Sequence, residues 1–313
     1  MKYHYTQWLS TYSIVARDPE NGELGVAVQT HQMAVGRMVP SLRPGIGAVA
    51  TQSLTNASFG PMALTMLGEG VPAPRVIEAL VASDEGAARR QVAVVDAQGR
   101  AAAFTGAGCI REAGHHTGAG YSVQANMMTR PTVIAAMANA YEGAAGDLAA
   151  RLIAALRAAQ AEDGDIRGMQ SAALKIVPGD PQARTWETRY DLRVDEHENP
   201  VEELARLVRL RQAQLLDEAG LQALQSNDRD QALRLWKQAR EQAPELEEIA
   251  VWQAVALADE PGDVQTAAAI LRPVLVADPR RNQWIEMIRR LQECGIIERA
   301  RAADELIAAL DAE

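Results

Sequence analysis

The chain has 313 residues, enough for two domains that each bury a core of their own. Its formal net charge of −10 at pH 7 disfavours nonspecific binding to nucleic-acid backbones and to anionic membrane surfaces. No stretch approaches the roughly 18 consecutive apolar residues that span a bilayer, and the apolar run at the start is too short for a signal peptide, so we expect a cytoplasmic protein.

The first predicted element is a β-hairpin within residues 10–31. Polar and apolar side chains alternate over residues 11–16, as in a strand with two different faces. The segment 18–22, Asp-Pro-Glu-Asn-Gly, has the composition of a turn, because proline presets φ and Asn-Gly adopts positive φ. Residues 24–29 form the apolar return strand, and a further apolar strand at 46–52 leads into a polar loop.

The rest of the first predicted domain contains both helices and strands. Helices are predicted where apolar residues recur at helical spacing, and strands where short apolar runs are bounded by turn residues. The glycine-rich run 106–120 is predicted as a loop. The remaining elements are helices at 59–67, 76–82, 131–141 and 147–162, a hairpin at 91–106, and strands at 121–127, 171–177 and 185–194. Strands, then helices, then strands again are the order that a four-layer αββα sandwich requires.

Beyond residue 199 the composition changes to charged amphipathic helix, and the sequence repeats itself. Residues 231–244 match residues 266–279 at an offset of 35, close to the tetratricopeptide period of about 34. Such units are helical hairpins that bury their apolar faces by stacking on each other. We therefore expect an all-α helical-repeat domain of about three hairpins over residues 200–313.

Several stretches resemble one known group of proteins. They are Thr-Tyr-Ser-Ile-Val-Ala-Arg-Asp-Pro at 11–19, Glu-Leu-Gly-Val-Ala-Val at 23–28, Ala-Val-Gly at 34–36, Gly-Ala-Val-Ala-Thr-Gln at 47–52, Gly-His-His-Thr-Gly-Ala-Gly-Tyr-Ser-Val-Gln-Ala-Asn-Met at 114–127, Gln-Ser-Ala-Ala at 170–173 and Arg-Val-Asp-Glu-His at 193–197. The opening resembles that of the N-terminal-nucleophile (Ntn) hydrolases. The whole set is similar to a bacterial domain-of-unknown-function family within that superfamily, over about residues 11–210.

The resemblance implies an α+β fold for the first domain, and together with the repeat it predicts three parts of the chain. An N-terminal extension at 1–10 is followed by a four-layer αββα Ntn-hydrolase-like sandwich at 11–199. The all-α helical-repeat domain at 200–313 completes the chain.

The resemblance makes Thr11 the candidate nucleophile. A threonine hydroxyl needs a base to remove its proton before it can act as a nucleophile. In Ntn hydrolases this base is the α-amino group of the same residue, with a pKa of about 8, which becomes free when the preceding residues are cleaved off. This chemistry requires the loss of residues 1–10, whereas the family usually begins with threonine directly after the initiator methionine. The alternative is that the extension remains and Thr11 is an ordinary strand residue.

Two further residues are candidate catalytic groups. His31 ends the second strand, where the family carries lysine or histidine. A cation there would lower the pKa of the α-amine or hold a substrate carboxylate, and the alternative is a strand-end histidine that caps a loop. Asn126 is the candidate oxyanion donor, since polar groups inside a sheet otherwise have little reason to face inward.

Four more side chains are candidate substrate-binding groups, namely Gln52, Asn56, His115 and Gln124. The three amides would bind a polar substrate or an oxyanion without adding charge, and buried amides that satisfy loop backbone are the alternative. His115 lies beside His116 in the glycine-rich run. Because adjacent side chains of an extended chain point apart, we expect His115 to contact substrate or only make the loop polar, rather than to bind a metal.

No cofactor and no metal are expected. The glycine-rich run lacks the Lys-Ser/Thr of a P-loop and the strand–GxGxxG–helix order of a dinucleotide site, and no GxSxG signature occurs. Cys109 and Cys294 lie in different predicted domains and outside any zinc-type spacing, so neither a disulfide framework nor a structural zinc site is predicted.

Two kinds of function remain. The first is an Ntn-type amidohydrolase that cleaves a C–N amide bond of a small polar substrate, with Thr11 as nucleophile. The alternative is a non-catalytic metabolite-binding or protein-assembly module whose helical repeats dock a protein partner. In both cases we expect a homodimer without nucleic-acid or membrane partners.

Overall fold

The computed structural model describes residues 8–9, 11–277 and 279–312. The chain divides into two compact units, one that ends at Val208 and one that begins at Arg209. The boundary expected between residues 199 and 200 stays a prediction. Of the predicted extension 1–10, all except Trp8 and Leu9 lies outside the described residues.

The described strands form two antiparallel sheets. In chain order they are β1 (Trp8–Leu9), β2 (Thr11–Arg17), β3 (Leu24–Thr30), β4 (Pro40–Arg43), β5 (Gly47–Leu54), β6 (Arg90–Asp96), β7 (Ala101–Thr105), β8 (Gly114–Gly118), β9 (Tyr121–Asn126), β10 (Ser171–Val177) and β11 (Tyr190–Val194). The first sheet has the order β1–β5–β6–β7, with β4 also paired to β5. The second has the order β11–β10–β3–β2–β9–β8. The chain therefore changes sheets between Leu9 and Thr11.

The predicted hairpin is confirmed as β2 and β3, which lie at the centre of the second sheet. The two strands pair with Thr11 opposite Thr30. In the turn, the Asp18 carboxylate accepts a hydrogen bond of 2.8 Å from the backbone N–H of Glu20. Gly22 adopts a φ of 76°, a conformation that glycine reaches without a steric cost.

The two sheets face each other, and their shared interior changes character along the strands. At one end it is filled by apolar side chains from both sheets, among them Val15, Val26, Val28, Ala48, Ala50, Ala93 and Val95. At the other end it is polar. The buried polar side chains there are Thr11, Ser13, Gln52, Gln91, Gln124 and Asn126. Since strand side chains alternate between faces, Thr11 and Ser13 share the inner face of β2 with Val15.

Helices cover the outer faces of the sheets. They are α1 (Phe59–Gly68), α2 (Ala73–Ala82), α3 (Val133–Gly143) and α4 (Leu148–Ala161). The first pair packs on the first sheet, where Phe59 joins Val92 in one apolar cluster. On the second sheet α4 approaches β3 so closely that a Cβ at Gly25 would lie 2.8 Å from Leu152. The side chain of Asp147 caps α4 by accepting a backbone hydrogen bond of 2.9 Å, which satisfies a free N–H of the first turn. The unit is thus a mixed α/β structure.

Several strands differ from the sequence-based expectation. Residues 114–118 form β8, although the glycine-rich run is predicted as a loop. This strand is the edge of its sheet and is largely exposed, so its sequence shows no apolar alternation. Strand β11 begins at Tyr190 rather than at residue 185. The short strands β1 and β4 are not predicted, because they are too short to show a periodic pattern.

The second unit is built from helices. They are α5 (Pro200–Gln225), which contains the boundary between the units, then α6 (Arg229–Gln242), α7 (Glu247–Asp259), α8 (Val264–Ala277), α9 (Arg281–Glu293) and α10 (Ala302–Asp311). The buried Trp236 anchors this core and donates its indole N–H to the carbonyl of Asp217 at 3.1 Å. The two self-matching sequence segments fall largely within α6 and α8. Within the described chain, no helix combines the length and apolar character needed to cross a bilayer.

Candidate functional site

Thr11 lies at the polar end of the interior. As the first residue of β2 it pairs in register with Thr30 of β3 on one side and with Asn126 of β9 on the other. Its side chain is fully buried, and its hydroxyl donates to Thr30 Oγ1 at 3.3 Å. Its backbone carbonyl accepts a hydrogen bond of 3.1 Å from Gln52 Nε2 in the facing sheet. Thr11 is therefore held by both neighbouring strands and by the opposite sheet.

Gln52 bridges the two sheets. Its Nε2 group lies 3.1 Å from the Thr11 carbonyl, 2.8 Å from Gln91 Oε1 and 3.4 Å from the Gln124 carbonyl. Its Oε1 accepts a hydrogen bond of 2.6 Å from the Ser13 hydroxyl. Because carbonyl acceptors surround the nitrogen and a hydroxyl donor meets the oxygen, the orientation of this amide is determined by its partners.

Gln124 and Asn126 occupy alternate positions in β9 and both belong to the buried polar interior. Gln124 Nε2 donates to Ser13 Oγ at 2.5 Å, and its Oε1 accepts from the Ser122 hydroxyl at 3.2 Å. Asn126 Nδ2 donates to Gln91 Oε1 at 2.9 Å. The structure thus joins both residues, through hydrogen bonds, to the residues around Thr11.

Gln91 is the centre of this network, and the sequence analysis does not single it out. It is fully buried in β6. Its Nε2 group lies 2.9 Å from Thr105 Oγ1, 3.0 Å from the Gly114 carbonyl and 2.9 Å from the Ala125 carbonyl. Its Oε1 accepts the two amide donors already described. The available signal was a glutamine on the inner face of an otherwise apolar strand.

These hydrogen bonds form one continuous chain, whose donors all point the same way from Ser122 to Thr105. We call it the glutamine chain, and its members in order are Ser122, Gln124, Ser13, Gln52, Gln91, Thr105 and His115. In each glutamine Oε1 accepts from the preceding member and Nε2 donates to the next. The Thr105 hydroxyl lies 2.9 Å from His115 Nδ1, which completes the chain.

The glutamine chain ends at the imidazole of His115, on the edge strand of the second sheet. In the tautomer whose Nδ1 accepts a hydrogen bond from Thr105, the neutral ring of His115 carries its hydrogen on Nε2. Partial burial, and to a smaller extent the neighbouring His116, lower the pKa of His115, so the neutral form prevails at pH 7.

A cleft of about 540 Å³ opens where the glutamine chain reaches the surface. Its lining comes from the end of β7, the start of β8 and the segment between them, namely Thr105, Gly106, Ala107, Cys109, Arg111, Glu112, Ala113, Gly114 and His115. The Cys109 thiol donates to the Arg90 carbonyl at 3.4 Å, and burial raises the pKa of this thiol, so it is uncharged at pH 7. Among the residues that the structure describes, no three His, Cys, Asp or Glu side chains are grouped so that they could hold a metal ion.

His31 does not belong to the glutamine chain. It directly follows Thr30, the register partner of Thr11, so the backbone brings it to the same end of the sheet. Its ring is exposed, and Nδ1 lies 3.2 Å from the Met169 carbonyl. Its backbone N–H donates to the Asp165 carboxylate at 3.1 Å.

Asn56 also lies outside the glutamine chain. Its carboxamide donates to the Asp84 carboxylate at 3.1 Å and accepts from the backbone N–H of Ser58 at 3.2 Å, just before α1. Asp84 in turn pairs with Arg90 at 2.7 Å, and this hydrogen bond is the main reason that the pKa of Asp84 falls to about 2. Asn56 therefore takes part in a loop-stabilising ion-pair cluster.

Comparison with known proteins relates this site to a family. No curated protein matches the chain. A crystal structure of protein SPO2555 from Silicibacter pomeroyi, described by the DUF1028 family model, matches at 32% identity and a TM-score of 0.58, with 64% of this chain and 88% of that chain covered. The family model itself matches residues 11–204, which include every member of the glutamine chain. The chain belongs to DUF1028, a family of unknown function.

Proposed function

We propose that the first unit is an Ntn-type amidohydrolase that cleaves a C–N amide bond of a small polar substrate, with Thr11 as nucleophile. The position of Thr11 supports this proposal. It begins a central strand, and its hydroxyl lies at the polar end of the interior between two facing sheets, beside Thr30 and Asn126. An N-terminal threonine carries both a nucleophilic hydroxyl and a general base on one residue.

The reaction requires a free α-amino group on Thr11, which exists only after the peptide bond to residue 10 is cleaved. The amine accepts the hydroxyl proton as Oγ1 attacks the substrate carbonyl carbon. When the tetrahedral intermediate collapses, the C–N bond breaks and the proton passes to the leaving amine. Water then hydrolyses the acyl ester on Thr11, which releases the acid and restores the hydroxyl.

Three neighbouring side chains have distinct roles in this proposal. Gln52 is a positioning residue, because its Nε2 group holds the Thr11 carbonyl. Asn126, opposite Thr11 in register, donates a hydrogen bond to the developing oxyanion. His31, when charged, lowers the pKa of the α-amine or binds a carboxylate of the substrate.

A second candidate function is a non-catalytic binding or assembly module. The burial of Thr11 favours it, since the side chain is fully inaccessible in this chain and its nitrogen is part of a peptide bond. In this alternative proposal the second unit docks a protein partner through tetratricopeptide-like repeats, and the chain forms a cytoplasmic homodimer. None of these roles needs a free amine on Thr11.

The mature N-terminus separates the two functions. For a hydrolase, mass spectrometry of protein purified from its native host should find a chain that begins at Thr11. This form should release ammonia or amine from a panel of small amides, Thr11→Ser should keep part of that activity, and Thr11→Val should lose it. Thr117→Val, which changes an exposed threonine of β8, is the matched control. Amide hydrolysis by protein that still begins at Met1 or Lys2 would exclude the α-amine mechanism.

A further inference from the structure

The cleft beside His115 contains two opposite charges that have no partner in the described part of the chain. Arg111 and Glu112 are consecutive residues, and both line the cleft. Neither side chain makes a hydrogen bond or an ion pair with another described residue, and they do not pair with each other. A guanidinium and a carboxylate that stay apart in one cleft can each bind an oppositely charged group of the same ligand.

The backbone holds the segment that carries these charges. Met127 N–H donates to the Ile110 carbonyl at 3.2 Å, and Met128 N–H donates to the Glu112 carbonyl at 3.2 Å. Glu112 adopts a φ of 53°, in the left-handed region that is costly for residues other than glycine. Because these bonds maintain the strained conformation, the backbone that carries the two charges needs little ordering when a ligand arrives.

The other wall of the cleft is also held by the backbone. A Cβ at Gly106 would collide with the Ala88 carbonyl, so only glycine allows this close approach. Gly108 N–H donates to the same carbonyl at 2.6 Å. Between the walls, the uncharged Cys109 thiol adds no competing charge, and the His115 ring lines the cleft with its Nδ1 atom 2.9 Å from Thr105 Oγ1.

We propose that this cleft binds a small zwitterion, either a free α-amino acid or a short peptide, with the ligand carboxylate on Arg111 and His115 and the ligand ammonium on Glu112. A guanidinium and an N–H donor form charge-assisted hydrogen bonds to a carboxylate, and a carboxylate does the same for an ammonium group. The volume of about 540 Å³ lies within the usual range of small-molecule sites. The inference goes beyond the proposed hydrolysis, because it does not depend on the chemistry of Thr11.

Calorimetric titration of the full chain at pH 7 tests the proposal. L-alanine is the probe for a free amino acid, and L-alanyl-L-alanine is the probe for a short peptide. N-acetyl-L-alanine carries only the carboxylate, and L-alaninamide carries only the ammonium group. We expect at least one zwitterion to bind with an affinity about tenfold or more above that of both blocked forms, because only a zwitterion satisfies both charges of the cleft.

Variants assign each charge to its partner. Arg111→Ala should weaken zwitterion binding by about tenfold or more and remove any binding of N-acetyl-L-alanine. Glu112→Gln should weaken zwitterion binding by a similar factor and remove any binding of L-alaninamide. His115→Leu should weaken carboxylate binding. The controls Arg37→Ala and Glu85→Gln, which change exposed charges outside the cleft, should leave every affinity unchanged.

Three results would overturn the proposal. One is no binding of either zwitterion up to about 10 mM. Another is equal affinity for a zwitterion and its blocked forms, and the third is an equal loss in the control variants. The N-terminal test of the hydrolase is independent of all three, so failure of one proposal is distinguishable from failure of the other.

Discussion

Replacement of Gln91 by leucine should strongly destabilise the first unit. The side chain is fully buried and takes part in five hydrogen bonds. The change removes all five bonds, although Gln52 Nε2 keeps two carbonyl acceptors and the Thr105 hydroxyl keeps its contact with His115. At about 1 kcal/mol net for each lost bond, we expect the free energy of unfolding to fall by about 3–5 kcal/mol. That is a large share of the roughly 5–15 kcal/mol that stabilises an ordinary domain.

Gln29 provides a matched control in the same unit. It is also fully buried in a strand, but within the described chain neither its Nε2 nor its Oε1 atom has a hydrogen-bond partner. Gln29→Leu removes a buried amide whose desolvation is uncompensated, so we expect it to be neutral or to raise the free energy of unfolding by up to about 2 kcal/mol. Since both changes replace the same amide by the same alkyl group, their difference isolates the hydrogen bonds.

Amide hydrogen exchange by mass spectrometry is the appropriate assay. Peptides from β6 and β9 report the free energy of opening of the first unit separately from the helical unit. Protection in these strands should drop sharply in Gln91→Leu and stay the same or rise in Gln29→Leu. The reasoning is refuted if Gln91→Leu costs less than about 1 kcal/mol, or if Gln29→Leu costs as much as Gln91→Leu.

Three further predictions concern other parts of the chain. Gly220→Ala should lower the Tm of the helical unit, because the new Cβ would collide with the Trp236 indole and the clash outweighs the better helix propensity of alanine. In the control Gly143→Ala the new Cβ has no heavy atom from elsewhere in the chain within 4 Å, so the Tm of the first unit should not fall. Asp84→Asn should lower the Tm at pH 7. The pKa of Asp84 in the folded state is about 2, below its value in the unfolded chain. Its contribution to the free energy of unfolding is therefore present above about pH 4 and lost as the pH falls through about 2. The Tm values of wild type and Asp84→Asn should converge at that pH, and a difference in Tm that does not depend on pH would contradict this. His31→Ala should change stability by less than about 0.5 kcal/mol while lowering turnover or ligand binding, and unchanged function in this variant would remove the residue from the site.

The parts of the fold that were predicted correctly are specified by local sequence. The strands of the central hairpin alternate in polarity on either side of an Asp-Pro-Glu-Asn-Gly turn, and all of this information lies within about twenty residues. Strand β8 could not be predicted in the same way. Its sequence, Gly-His-His-Thr-Gly, has no apolar face, and it is a strand only because β9 offers it a pairing edge.

The candidate site shows a similar division. Gln52, Gln124 and Asn126 could be selected because they are polar residues within or at the ends of apolar strands, and Thr11 could be selected from the resemblance of the opening to that of the Ntn hydrolases. Their mutual contacts could not be predicted, since sequence spacing does not say which strands of the two sheets face each other. Gln91 was missed for this reason: its importance comes from partners on β5, β7, β8 and β9 rather than from its own neighbours in the chain.

The glutamine chain also has a consequence for how the two sheets stack. If the interior contained only valine and alanine, one sheet could slide over the other by one inward-facing residue, about 7 Å along a strand, and the side chains would pack about as well as before. Such a shift would separate Ser13 from Gln52 and Thr105 from His115, and it would move the Gln91 amide away from the Ala125 carbonyl. Because buried amides lose much more free energy than methyl groups when they are misaligned, the hydrogen bonds favour the observed stacking over the slid ones.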